Sequence, residues 1–294
     1  MWIAVTKRFS NFNSSIKLSQ ESKDDGLGKC RRITKILNKE YWEKEGEDDN
    51  RLMVGSWGKN TAIRPPYDVD MFFVLPAEDY YRFDAYTGNK QSALLQEVKE
   101  VIQATFPQTD MRGDGQVVQV KFNSLMIEVV PAFAIDNGTY FICDTNDGGK
   151  WQTVNPAREL ETLANSDRDH AYNTRRVARM MKIWRDYCNV DLASYVLEAL
   201  VVRFFETYEH ADKSLFWYDW ICRDFLGHLC GKANQYVQTL DGGWHALGDA
   251  WKSRAESAWS RAIKACDYET VDRVADAGTE WQKIFGSYIE VTPA

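Results

Sequence analysis

MVGSWGKNTAIRPPYDVDMFFVL, residues 53–75, decides the fold. Gly55-Ser56 follows an apolar step, and eleven residues separate Ser56 from Asp68. Asp68-Val69-Asp70 then opens the apolar run Met71-Phe72-Phe73-Val74-Leu75. Side chains alternate along a strand, so Asp68 and Asp70 share one face while Val69 and Met71 take the other. Two carboxylates side by side on a half-buried strand are costly unless a cation neutralises them, and oxygen ligands of this kind suit Mg²⁺. A third acid is expected on a neighbouring strand. Glu128 supplies it, interrupting Leu125-Met126-Ile127-Glu128-Val129-Val130-Pro131. The plainer alternative has Asp68 and Asp70 capping a strand end in solvent and Glu128 paired with a lysine. The coincidence of a Gly-Ser turn, a DxD strand and a distal acid favours a metal site.

The 294 residues are 44% hydrophobic, enough for two lobes with sizeable cores. A net charge of −7 and a pI near 5.3 argue against a long nucleic-acid substrate, which ordinarily leaves a basic footprint. Six cysteines (Cys30, Cys143, Cys188, Cys222, Cys230, Cys266) show no CxxC pair and read as reduced, mostly buried thiols of a cytoplasmic protein. The first residues lack the apolar segment of a signal peptide, and no long apolar run suggests a membrane partner.

Along the chain, residues 1–24 read as a short helix or partly ordered arm with Phe9, Phe12, Ile16 and Leu18 as anchors. A long helix is expected over 26–42 and another over 89–106, ended by Pro107. Strands are expected at 51–55, 68–75, 116–122, 124–130 and 140–143. After Lys150 strand signals stop, and helices are expected over 156–165, 168–188, 191–209, 214–231, 244–262 and 267–286. The division is therefore a 1–147 core lobe with its long N-terminal helix and a 148–294 helical lobe, an α+β protein whose active site is expected in the cleft between them. Eight tryptophans of the second lobe region, Trp217 and Trp220 among them, read as packing residues. Within 168–188, Val177, Met180, Met181, Trp184 and Tyr187 line one helix face, while Arg168, Arg175, Arg179 and Lys182 form a stripe opposite. That stripe is either a solvated face or a clamp for a triphosphate.

Gly55-Ser56, Asp68-x-Asp70 and Glu128 together resemble the polymerase-beta-like nucleotidyltransferase superfamily. GSWGKNTAIRPPYDVDMFFVLP, IEVVPAF, Lys182-Ile183-Trp184-Arg185 and Ser194-Tyr195-Val196-Leu197-Glu198 are similar, more narrowly, to the bacterial cGAS/DncV-like nucleotidyltransferases, the CD-NTases of anti-phage (CBASS-type) signalling. The resemblance extends to Trp281 and Phe285-Gly286 near the end. It implies a template-independent enzyme that joins NTPs, ATP and GTP first among them, into a cyclic oligonucleotide, by default a dinucleotide containing adenine or guanine. It further implies that Asp68, Asp70 and Glu128 are catalytic and hold two Mg²⁺ ions, with Mn²⁺ able to substitute. Gly55 and Ser56 would position the donor triphosphate, and Lys182 and Ser194, with Arg179 beside them, would grip phosphates. Glu128 departs from the Asp usual at its position. Trp57, Tyr67 and Trp151 are candidates to stack on a base. A monomer is expected, acting on a downstream effector through a diffusible product, with room for a regulatory partner. The rival readings are a nucleotidyltransferase for an RNA end or small-molecule acceptor, and an inactive nucleotide-binding sensor.

Overall fold

The computed structural model describes residues 2–66, 68–136 and 138–293. In chain order the elements are helices α1 (Val5–Ser15) and α2 (Gln20–Trp42), strand β1 (Arg51–Met53), helix α3 (Gly55–Gly58), strand β2 (Asp68–Val74), and helices α4 (Ala77–Asp84) and α5 (Lys90–Thr105). Strands β3 (Asp110–Asp114), β4 (Val117–Lys121), β5 (Met126–Asp136), β6 (Thr139–Asp144) and β7 (Lys150–Val154) follow. Helices α6 (Pro156–Asp169), α7 (Asn173–Tyr187), α8 (Ser194–Phe205) and α9 (Tyr218–Cys230) come next, then the hairpin β8 (Tyr236–Gln238) and β9 (Trp244–Ala246), and last α10 (Lys252–Thr270) and α11 (Val274–Phe285). The α+β class is as the sequence indicates.

The chain forms two compact units, one of residues 18–60 and 66–160, the other of residues 1–17, 61–65 and 161–294. The boundary lies beyond the expected 147/148, because β7 continues the sheet by pairing with β6 from Lys150 to Val154. The first seventeen residues join the helical unit instead of the sheet unit. They do so because α1 buries Val5, Phe9 and Phe12, with Ile16 just beyond its end, against helical-unit side chains, Phe9 lying edge-on to Trp281 at 5.3 Å. Leu18, the fourth expected anchor, is only half-buried.

In the sheet unit the strand order is β1-β2-β5-β4-β3, with β6 added on β5 and β7 on β6. Among the described residues only β2 and β5 pair in parallel. A parallel pair needs a long crossover, and α4, α5 and the β3–β4 hairpin supply it. One sheet face meets α2 and α5 through Ile33, Leu37, Val69, Met71, Leu94, Val98, Ile102, Val120 and Ile127. Ser19 caps α2 by accepting from the Ser22 amide at 3.1 Å, so this helix starts six residues before the expected Gly26. Gly26 lies inside it because the Trp57 ring rests on its backbone: a Cβ there would stand 2.5 Å from the ring.

In the helical unit, Trp184, Trp251 and Trp281 are fully buried, as packing residues should be. Trp244 is 70% exposed because it lies on the β8–β9 hairpin, where a continuous helix over 244–262 was expected. The expected 168–188 helix is broken as well. Ala171 and Tyr172 are left-handed (φ 52° and 62°), so Arg168 falls in the last turn of α6 and only Arg175, Arg179 and Lys182 belong to α7. The six cysteines carry free thiols, four of them buried, and no helix among the described residues is long and apolar enough to cross a membrane.

Arg8 on α1 ties distant segments of this unit together. It is fully buried, ion-paired with equally buried Glu269, and donates to the Val274, Glu290 and Val291 carbonyls at 2.7, 3.1 and 3.1 Å. Removing one partner of such a pair strands a buried charge. Arg8→Met should therefore lower unfolding free energy by about 3–5 kcal/mol in a urea titration, whereas Arg8→Met with Glu269→Met should recover most of the loss. Equal destabilisation by the single and double variants would show that the ion pair is not the cause.

Candidate active site

The site is built on the parallel pair of strands. In β2 the burial alternates from Asp68, half-buried, to Val69, buried, to Asp70, half-buried, as the DxD spacing requires. The β2–β5 register sets Asp70 directly opposite Glu128, with Asp68 opposite Met126. Paired residues on adjacent strands point to the same face. Asp68, Asp70 and Glu128 accordingly converge, each offering a ligand oxygen, with these atoms all within 4.8 Å of one another. The three-acid arrangement expected from the sequence is present.

Such crowding has an electrostatic signature. Burial, then repulsion from Asp68 and Glu128, pushes the Asp70 carboxyl up to about 7, against the pull of the Lys59 ammonium. Burial also raises the Glu128 carboxyl, opposed by a hydrogen bond from Gln119. A shared cation would offset both the burial of these charges and their mutual repulsion. The donor set, three carboxylates converging on one point, fits a hard divalent ion.

Gly55 meets this cluster from β1. Its φ of +56° is the left-handed conformation that glycine adopts freely, and a Cβ there would stand 1.9 Å from Asp70 Oδ2. The Val54 amide donates to the Asp70 carbonyl at 3.1 Å, fixing the approach. Ser56 follows in the four-residue helix α3, where the sequence suggested a strand running into a turn. The structure thus brings Gly55, Asp68, Asp70 and Glu128 together, with Ser56 next in the chain after Gly55.

Lys182, Arg179 and Ser194 belong to the helical unit. Lys182 is 3% exposed, ion-paired with buried Glu198, and donates to the Thr61 carbonyl at 3.2 Å and hydroxyl at 3.0 Å. Thr61 lies between the Gly-Ser turn and Asp68 in sequence, so Lys182 anchors the segment joining those two motifs. Arg179 is buried, which lowers its pKa to about 10. Ser194, half-buried, opens α8. Arg175 is bound to Asp167 at 2.9 Å, so the basic stripe read from the sequence is largely drawn into internal ion pairs. Of the stacking candidates, Trp57 packs on Gly26, and Trp151 packs on Tyr80 and Phe133 while donating to Asp84 at 3.0 Å. Tyr67 lies outside the described residues.

Two contributors escaped the sequence reading. Lys59, 3% exposed and ion-paired with Glu159, places a positive charge near Asp70. Gln119 pairs with Glu128 across β4–β5 and donates to its Oε1 at 2.8 Å, while accepting from Arg112 Nε at 2.7 Å. Arg112, Gln119, Glu128 and Asp70 form one row across β3, β4, β5 and β2. The alternation of 116–122 put Gln119 on the polar face, but only the register reveals its partner.

Comparison with known proteins agrees with this geometry. The family model described as Second Messenger Oligonucleotide or Dinucleotide Synthetase domain (SMODS) matches residues 3–166. A curated relative, the cyclic AMP-AMP-AMP synthase of an Acinetobacter strain, is 25% identical over 170 residues, covering 57% of this chain and 49% of the relative. The chain thus spans about half the length of that relative. Among solved structures, Vibrio cholerae DncV cyclic AMP-GMP synthase in complex with a linear intermediate is similar in fold, with a TM-score of 0.74, 14% identity and 97% of each chain covered. The E. coli MS115-1 CdnC:HORMA-deltaN complex gives a TM-score of 0.69 at 16% identity, covering 97% of this chain and 98% of that one.

Titrating Mn²⁺ into the protein should raise its melting temperature, and Asp70→Asn should abolish that rise. Gln119→Leu should weaken Mn²⁺ binding by roughly 10–100-fold, the effect of removing a group that orients a ligand. Unchanged Mn²⁺ affinity in the Asp70 variant would dissociate these acids from cation binding.

Proposed function

The chain belongs to the SMODS family, and from that premise we propose that it is a nucleotidyltransferase that condenses nucleoside triphosphates, ATP and GTP first among them, into a cyclic oligonucleotide second messenger. The observation that carries this reading is the register pairing of Asp70 with Glu128, with Asp68 on the same face and the three ligand atoms within 4.8 Å. In this proposal Asp68, Asp70 and Glu128 hold two divalent ions, Mg²⁺ or Mn²⁺. When bound, the ions supply positive charge for the oxygens that gain negative charge as the phosphoryl group transfers.

The protein's own groups do the rest. Gly55 and Ser56 position the donor triphosphate, the glycine permitting close backbone approach and the serine adding a hydroxyl. Glu128, steadied by Gln119, accepts the proton of the attacking ribose hydroxyl. The hydroxyl oxygen bonds to the α-phosphorus as the bond to the β-phosphate oxygen breaks and pyrophosphate leaves. A second such step within the linear product closes the ring. Lys182 acts indirectly, holding Thr61 and with it the segment that carries the turn toward Asp68. Ser194 is assigned a contact to phosphate. The product is proposed to diffuse to an effector in anti-phage signalling.

Incubating the protein with labelled NTPs and Mg²⁺ or Mn²⁺, with no added acceptor, should yield short products resistant to phosphatase. Asp70→Ala should reduce their formation by at least ~10²–10³-fold, the scale of losing one preorganised electrostatic group. Products that appear only when RNA or a small-molecule acceptor is added would overturn the cyclase reading in favour of a transferase to that acceptor.

A further inference from the structure

The sheet face that carries the three acids continues into an open cavity. Paired residues on neighbouring strands share a face, so two rows can be followed from β2 to β3. One runs Asp70, Glu128, Gln119, Arg112, and the other Asp68, Met126, Lys121, Asp110. From β2 each row passes from acid through a neutral side chain to a cation, the second ending on an acid at the sheet edge. Asp110, Arg112, Gln119, Lys121 and Met126 are among the residues that line a cavity of about 550 Å³, within the range of roughly 300–1,000 Å³ found for small-ligand sites. Neighbouring strands are about 4.8 Å apart, so the Arg112 backbone lies two strand steps, roughly 10 Å, from that of Glu128.

Arg112 is tied to the acids through Gln119. Its Nε donates to Gln119 Oε1 at 2.7 Å, and Gln119 Nε2 donates to Glu128 Oε1 at 2.8 Å. With Nε engaged there, the Nη groups of the planar fork point to other acceptors. Nη2 stands 3.3 Å from Asp114 Oδ2, a pair whose side chains are 71% and 55% exposed and which therefore holds weakly. A phosphate, taking two parallel hydrogen bonds from a guanidinium, is a better partner. Lys121 is exposed on the same face and adds a second positive charge, so that two cations stand against Asp110, the one acid of the lining among the described residues. The reaction geometry supplies an occupant. In-line transfer sets the attacking and leaving oxygens on opposite sides of the phosphorus. Gly55 meets Asp70 from the β1 side of β2, and the cavity lies on the β5–β4 side. A donor whose pyrophosphate leaves toward Gly55 is therefore attacked from the side of the cavity.

We propose that Arg112 and Lys121 bind the 5′-phosphates of the attacking nucleoside triphosphate in this cavity, with Arg112 at the same time holding Gln119 against Glu128. The attacking nucleotide has to present a ribose hydroxyl to the acids while its own triphosphate stays clear of them. The order of charges along the two rows meets both needs, acid at the hydroxyl end and cation at the phosphate end. A nucleoside without 5′-phosphates would reach the same hydroxyl position without this anchor. The inference rests on the nucleotidyltransferase reading and gives two residues outside the acids and the Gly-Ser turn the task of placing the acceptor.

The protein is given a 2′,3′-dideoxynucleoside triphosphate, which donates but has no hydroxyl with which to attack, together with Mg²⁺ and either an NTP or the matching nucleoside as acceptor. The dideoxy-ended linear product is measured by mass spectrometry. The kcat/KM should be higher for the NTP than for the nucleoside. Arg112→Gln and Lys121→Gln should each lower that advantage by roughly tenfold, the scale of a hydrogen bond to a charged group. A distorted fold would slow both acceptors alike and leave their ratio unchanged. Equal use of NTP and nucleoside by the unmodified protein, or an unchanged ratio in both variants, overturns the proposal, and the first of these comparisons needs no variant to fold. A second measurement needs no turnover. In EDTA the three acids repel a triphosphate at the donor position, so calorimetry of ATP and GTP against their nucleosides reports on the cavity. The preference for triphosphate should fall in Arg112→Gln and Lys121→Gln and persist in Asp70→Asn. If the unmodified protein makes no product at all, the nucleotidyltransferase reading fails and the calorimetry still decides the cavity: a preference lost in the two variants upholds it as a triphosphate site, and a preference unchanged in them overturns it.

Discussion

Mutual repulsion among three carboxylates on one sheet face is the constraint around which the sheet unit is arranged. Asp70 is raised first by burial and then by repulsion from Asp68 along its own strand and from Glu128 across the parallel pair. The surroundings temper this crowding without removing it: Lys59 contributes a positive charge, Gln119 fixes one oxygen of Glu128, and Arg112 fixes Gln119. Gly55 is required because no side chain fits between its backbone and Asp70. Gln119 and Gly55 sharpen the position of an acid while Lys59 offsets only part of the charge, which is how a site prepared for an external cation differs from an internal salt bridge.

The helical unit treats charge in the opposite way. Arg8 with Glu269, and Lys182 with Glu198, are buried pairs whose charges are answered inside the fold. They join segments far apart in sequence, α1 to the C-terminal helices and α7 to the Thr61 segment and α8. Asp219 is a further buried acid of this unit, its Oδ1 held by the Trp220 amide.

Much of the site was legible because strand alternation is local. The spacing of Asp68 and Asp70 fixes their shared face, and Glu128 inside an apolar run marks a second acidic strand. Gln119 and Lys59 were not legible, since their importance depends on cross-strand register and on an ion pair with Glu159, neither of which is encoded by spacing. Strand β3, Asp-Met-Arg-Gly-Asp, carries one buried apolar residue and gives no periodic signal. The β8–β9 hairpin was hidden for a similar reason: Val237 is the one buried side chain of its two short strands. The allocation of residues 1–17 to the helical unit rests on Arg8 and Phe9 meeting partners more than 250 residues away in sequence, a non-local fact.

The most direct measurement is anomalous diffraction at the manganese edge from crystals grown with Mn²⁺ and a non-hydrolysable ATP analogue. Two anomalous peaks about 3.5–4 Å apart are expected, bound by Asp68 and Asp70, with Glu128 on at least one and the analogue's phosphates beside Gly55 and Ser56. Manganese bound elsewhere, or Glu128 turned away from both peaks, would contradict the central claim that these three acids form one metal centre.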